Sequence, residues 1–242
     1  MSKQLDASQT IERFGVSRTA WRVGVICFFA LFALLGAVLS LVNGSTDIPF
    51  SQIMEILAAP GTDPHSMIIW NIRLPRTIVG ALVGINLALS GAILQAILRN
   101  PLADPHLIGI SSGAGVAGVV IMILYPALEY LITPVSFVGA MVAAVCIYIL
   151  AWKNGIKPVR IILAGVAVSA FLSAGISGLM IFYSDRVHGA LMWMVGGLAA
   201  RSWPHVSIIL PYAVIGVVLA MASAAYLNIL QLGDEMARGL GV

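Results

Sequence analysis

Charge is scarce in these 242 residues, with ten acidic and thirteen basic side chains making up 10% of the chain, against about 25% in ordinary soluble domains. Hydrophobic residues make up 60% and the mean hydropathy is +1.01, a composition that excludes a water-soluble globule. The scarcity is also uneven. Six intervals contain no Asp, Glu, Lys or Arg: between Arg22 and Asp47, Arg76 and Arg99, Asp104 and Glu129, Glu129 and Lys153, Arg160 and Asp185, and Arg201 and Asp234. Each has room for the roughly 20 apolar residues that cross a hydrocarbon core of about 30 Å. Open sheet edges do not survive in lipid, and none of these runs alternates like a barrel strand. The expected fold is therefore an all-α polytopic membrane bundle of six transmembrane helices.

Other absences narrow the chemistry. The two cysteines, Cys27 and Cys146, fall inside expected spans with no partner at motif spacing, so they are expected to be buried thiols rather than a disulfide framework. The four histidines, His65, His106, His188 and His205, stand at span ends or in loops, with no His-Glu-x-x-His or Cys-His cluster for a metal. There is no Gly-x-Ser-x-Gly elbow and no Walker-type Gly-Lys-Ser/Thr. Intramembrane catalysis or proton coupling would call for ionisable groups within the spans. No catalytic group, metal site or cofactor is expected, and an intramembrane enzyme is disfavoured.

What the chain does hold is directional. With the N-terminus in the cytoplasm, Lys3, Arg13, Arg18, Arg22, Arg99, Lys153, Lys157, Arg160 and Arg238 lie inside and Arg73, Arg76, Arg186 and Arg201 outside, nine against four. The pI near 9.1 reports that bias and implies no nucleic acid. Residues 1–22 form a polar, basic cytoplasmic segment before an uncleaved first span, residues 23–227 the transmembrane domain, and 228–242 a short cytoplasmic helix with acids early and Arg238 late. Spans two to six are expected near 75–98, 107–125, 131–151, 159–183 and 204–227. Ile53–Leu57 is too short to cross and reads as a surface helix. The 185–203 linker, with its Trp193, reads as a re-entrant or interfacial helix.

Small residues supply the remaining pattern. Gly80, Gly84 and Gly91 return to nearly one face of span two, which favours close helix packing. Gly165, Ser169, Ser173 and Ser177 follow at four-residue steps on span five, drifting about 40° per step; this weakly polar stripe reads either as a water-accessible path or as interhelical glue. Arg73 and Arg76, three apart, are expected to project on one face just outside the membrane. Interfacial anchoring and docking of an acidic partner are both open to them.

Arg73-Leu74-Pro75-Arg76, Ser90–Gln95, Asn100-Pro101-Leu102-Ala103-Asp104-Pro105 and Leu107–Ala114 closely resemble the FecCD-type permeases, the membrane subunits of type II ATP-binding-cassette importers for iron siderophores, haem and cobalamin. Leu163–Ala167, Met194–Leu198 and Leu230–Gly241 extend the likeness in one collinear order over roughly 50–242. The resemblance implies a bacterial inner-membrane homodimer or pair of related permeases, two cytosolic ATPase subunits and a periplasmic substrate-binding protein. It implies docking of that protein by Arg73 and Arg76, and ATPase coupling by Leu232, Gly233, Asp234, Glu235, Ala237, Arg238 and Gly239. It also implies a cytoplasmic turn at Asn100, Pro101, Asp104 and Pro105, and a translocation path along Gly165, Ser169, Ser173 and Ser177. Family members continue through about four more spans with a Gly-Phe-x-Gly-Leu-x-x-Pro-His segment that these residues lack. The expectation is thus the N-terminal part of a ten-helix permease fold, a truncated chain that either transports or serves as a non-transporting remnant or assembly subunit.

Overall fold

The computed structural model describes residues 17–233 apart from 154 and 156, together with residues 236 and 239. The chain divides into two units, 1–78 with 200–202 and 79–199 with 203–242. All regular structure among the described residues is helical.

In the first unit, α1 (Arg18–Val42) starts where the Ser17 side chain accepts a hydrogen bond from the Ala20 amide, an N-cap that satisfies one of the orphan donors of the first turn. The short helix α2 (Phe50–Ala58) covers the expected surface segment, but it is not merely superficial. Its Ile53 and Ile56 are buried with Ile48 and Ile69. Asp63 caps α3 (Pro64–Ile68), with Pro64 supplying the fixed φ that suits a first turn. A π-helical turn, Ile69–Arg73, then joins α3 to α4 (Leu74–Leu98). Pro75 explains the widening: it has no N–H to give, and its ring crowds the carbonyl four residues back. The second span thus begins about ten residues earlier than its apolar run.

In the second unit, α4 continues to Leu98, followed by a 3₁₀ turn, Pro105–Ile108, and α5 (Ile110–Leu124). At 15 residues α5 falls short of the roughly 20 needed to cross alone. Its limits are a left-handed Gly109 before it and the Tyr125-Pro126 step after it. Five helical segments are long and apolar enough to span: Thr19–Val42, Pro64–Leu98, Pro126–Ala151, Pro158–Phe182 and Trp203–Leu230. The last three contain α6 (Ile132–Ala151), α7 (Pro158–Phe182) and α9 (Trp203–Leu230). The linker before α9 forms a nine-residue helix, α8 (Val187–Val195).

The core of this unit is α5 with α6 and α7. A Cβ on Gly113 would lie 2.5 Å from the Gly139 carbonyl, and one on Gly139 2.5 Å from that of Gly113. Backbone-to-backbone approach of this kind is how helices associate in lipid, where hydrophobic driving force between them is absent. The glycine face expected on span two behaves differently. Gly80 packs against Leu198, whereas Gly84 and Gly91 have open space beside them. The cysteines also depart from expectation: Cys27 and Cys146 are both exposed on the helix surfaces, because on all-apolar helices a thiol needs no sheltered face.

Candidate functional site

Arg73 and Arg76 share a motif but not an environment. Arg73 ends the π turn and is only 6% exposed. Its Nη1 donates to the Leu41 carbonyl at 2.6 Å and to the Val42 carbonyl at 2.8 Å, and its Nη2 donates to the Thr46 carbonyl. Leu41 and Val42 are the last residues of α1, whose terminal carbonyls have no intrahelical partner and carry partial negative charge. The guanidinium therefore staples the end of α1 and the loop after it to the start of α4. Arg76, one turn on, is exposed. The expectation of two arginines projecting together is corrected here, since the unpaired carbonyls draw Arg73 inward.

The stripe on α7 divides as well. Gly165 is buried and Ser169 half-buried. A Cβ on Gly165 would stand 2.5 Å from the Ile108 carbonyl, and one on Gly109 would stand 2.3 Å from Ser169 Oγ. Gly109 also has φ +82°, which glycine adopts without the usual steric penalty. Ser169 Oγ donates back to the Gly165 carbonyl at 2.8 Å. This half of the stripe is sealed against the segment leading into α5. From Gly165 the accumulated drift is about 80° at Ser173 and about 120° at Ser177, so both turn away from the Ile108 contact. They are exposed, and with Ile176, Met180, Leu191 and Met194 they line a 340 Å³ cavity beside α8. Ser177 Oγ donates to the Ser173 carbonyl at 3.0 Å, which leaves its lone pairs free to accept. The cavity offers hydroxyl acceptors among polarisable thioethers and aliphatic groups.

The turn after α4 is built by its own side chains. Arg99 has φ +49°, Asn100 Oδ1 accepts from the Leu102 amide at 2.9 Å, and the Ala103 amide donates to the Asn100 carbonyl at 3.1 Å. An asparagine that bonds its own backbone two residues on, followed by proline, is a self-contained turn. Pro101 lies within it, Asp104 is exposed, and Pro105 opens the 3₁₀ turn. The structure adds a contact that sequence spacing could not signal: Arg99 Nε donates to the Leu230 carbonyl at 2.7 Å, across 131 residues. Leu230 ends α9, so the turn grips the point where the expected coupling segment begins. The first three residues of the expected 228–242 segment, 228–230, belong to α9. Of its residues, Leu232 and Gly239 are exposed and Gly233 is half-buried with φ +110°; Asp234, Glu235, Ala237 and Arg238 lie outside the described residues. Met180, Leu191 and Met194 had no signal of their own, since methionine and leucine in an apolar run read as packing. Among the described residues no three His, Cys, Asp or Glu side chains gather into a metal-binding group.

Comparison with known proteins carries the geometry into a family. Residues 24–242 match the FecCD transport family. The chain is 34% identical over 224 residues to the Fe(3+)-citrate import system permease protein YfmD of Bacillus subtilis, covering 93% of this chain and 67% of that one. It is 41% identical over 203 residues to the cobalamin import system permease protein BtuC of Halobacterium salinarum, covering 82% of this chain and 55% of that one. A solved structure described as "An inward-facing conformation of a putative metal-chelate type ABC transporter" superposes with a TM-score of 0.74 at 27% identity, covering 90% of this chain and 68% of that one. The chain thus spans between 55% and 67% of the length of these two curated relatives.

Proposed function

Since the chain belongs to the FecCD transport family, we propose that it is a permease subunit of an ATP-driven importer of iron chelates or cobalamin-type compounds, contributing one wall of the translocation path. The observation that carries this reading is the cavity lined by Ser173 and Ser177 beside α8. Within a bundle whose spans hold no acidic or basic side chain in their charge-free stretches, it is a weakly polar surface that carries no charge of its own. Such a wall passes a bulky chelate without gripping it, because hydroxyl lone pairs offer weak hydrogen bonds and thioethers offer adaptable contact. At 340 Å³ the cavity forms one side of a path, and a second permease subunit, most simply another copy, supplies the other.

In this reading the N-terminus is cytoplasmic, Arg76 meets carboxylates of a periplasmic substrate-binding protein, and Arg73 acts as the staple that fixes the neighbouring backbone. The 228–242 segment seats on a cytosolic ATPase, and two such ATPases supply the hydrolysis, so the permease has no catalytic residue. Alternating access follows if movement of that segment is passed through the Arg99 contact to α4. The test is uptake of ferric citrate, ferric hydroxamate and cobalamin in a strain lacking its own permeases for them. One of the three accumulates when the chain is expressed with its partner subunits, and Ser173→Leu with Ser177→Leu abolishes most of that uptake. Absence of uptake of all three, with the assembled complex verified in the membrane, refutes the reading.

A further inference from the structure

We propose that the groove between α5, α6 and α7 is a binding site for an anionic phospholipid, with one acyl chain lying in the groove and the phosphate held at the α6–α7 turn. The proposal rests on the chain being embedded in a membrane and is independent of what it transports.

The groove has a volume of 560 Å³, and its walls include Gly139, Val142, Cys146 and Leu150 of α6 with Ala167 and Phe171 of α7. Every one of these side chains is apolar or a thiol. From Gly139 to Leu150 the wall runs eleven residues, or about 16 Å of helix, roughly half of a hydrocarbon core of about 30 Å. That is the depth of one leaflet, the length a single acyl chain has to fill. The glycines of the tightly packed α5–α6 pair remove side chains on one side, which gives the groove its depth.

What distinguishes this groove from an ordinary lipid-facing surface is its mouth. Beyond Leu150 the chain turns through Lys153 and Lys157, both exposed, into α7 with Arg160 in its first turn. Arg160 Nη1 donates to the Lys153 carbonyl, which holds the guanidinium at the turn. Arg160 is also seven residues before Ala167 and eleven before Phe171, so it shares the helix face that forms the wall. On α6 the wall positions Gly139, Val142, Cys146 and Leu150 continue toward Lys153 at three to four residue steps. No Asp or Glu occurs in α5, α6, the α6–α7 turn or α7, so the elements that form the groove and its mouth carry no acid of their own beside the three positive charges. Tyr148 and Trp152 stand beside the mouth, each more than half exposed, with ring centroids 5.5 Å apart. Aromatic side chains at that level mark the headgroup interface. An apolar slot one leaflet deep, ending at a basic cluster and an aromatic pair, is complementary to a lipid with an acyl chain and a negative headgroup; a zwitterionic lipid satisfies only the slot.

The experiment uses the full chain purified in detergent and titrated with phosphatidylglycerol or phosphatidylcholine, with bound lipid counted by native mass spectrometry. Phosphatidylglycerol is expected to bind more tightly, and its advantage to fall about fivefold for each of Lys153→Gln, Lys157→Gln and Arg160→Gln. Cys146→Trp, which fills the slot, is expected to weaken both lipids. In a Cys27→Ser background, maleimide labelling of Cys146 is expected to slow at least fivefold on adding phosphatidylglycerol. Equal binding of the two lipids by the unaltered chain, or full retention of the preference in the triple glutamine variant, overturns the proposal. So does an efficient Cys146–Cys146 cross-link between copies, which would put a second copy in the groove.

Discussion

The two halves of α7 carry the same four-residue repeat of small residues and do opposite things. Gly165 and Ser169 are closed against the backbone at Ile108 and Gly109, while Ser173 and Ser177 open into a cavity beside α8. The arginine pair repeats the contrast over a shorter distance, with Arg73 buried among carbonyls and Arg76 exposed. In each case one member of a repeated motif builds the frame and the other is left to meet something else. A small or basic residue in a membrane helix therefore has no role fixed by its type. Its role depends on whether a neighbouring segment offers carbonyls or space at that rotation.

The sharpest way to break the comparison is at the buried arginine. Arg73→Met keeps much of the stem but strands the Leu41, Val42 and Thr46 carbonyls, and hydrogen bonds to a charged donor contribute about 1.5–3 kcal/mol each. A loss of about 4.5 kcal/mol, the low end for three such bonds, is expected in unfolding measured in mixed micelles. Arg73→Lys recovers only part of it, since an ammonium lacks the planar fork. If Arg73→Met is as stable as the unaltered chain, the staple is not structural.

Gly165→Val comes next. Its Cβ would meet the Ile108 backbone carbonyl, which cannot move aside as a flexible side chain would, and overpacking of this kind costs about 3 kcal/mol. The same substitution at Gly175, which has nothing within 4 Å, is expected to change stability by less than about 0.5 kcal/mol. Equal effects at the two glycines would erase the distinction between sealed and open halves.

Smaller effects are expected from the open members. Ser173→Leu with Ser177→Leu is expected to leave unfolding within about 0.5 kcal/mol while lowering chelate uptake about tenfold, a change of about 1.4 kcal/mol in the barrier. A fall in stability matching the fall in uptake would return these serines to packing. Arg76→Ala is expected to be smallest, weakening the binding protein by no more than about fivefold, since exposed ion pairs contribute up to about 1 kcal/mol. That loss is expected to shrink as salt is raised from 0.05 to about 0.5 M. A salt-independent loss would point to packing at Arg76.

Much of this architecture was legible before any coordinates. The charge-free intervals match the long helices to within a few residues at most ends, because lipid leaves an apolar run no alternative to satisfying its backbone internally. The exceptions have local causes. The second span starts early because Asp63-Pro64 nucleates a helix outside the apolar run and Pro75 is absorbed by a π turn. The third apolar helix stops at 15 residues because Gly109 and Pro126 bound it. The Asn100–Pro105 turn was equally legible, since its hydrogen bonds are made within a few residues.

The staple, the sealed serine, the Arg99 contact to Leu230 and the lipid groove were not legible. Composition and the spacing of charges are properties of a one-dimensional chain, and they are enough to say that it crosses a membrane as helices and which loops carry its positive charge. Which face of each helix is closed depends on the rotation of that helix against segments dozens of residues away. Rotation is set by shape, by where a carbonyl lacks a donor and where a missing Cβ leaves room, and those conditions exist only once the helices have met.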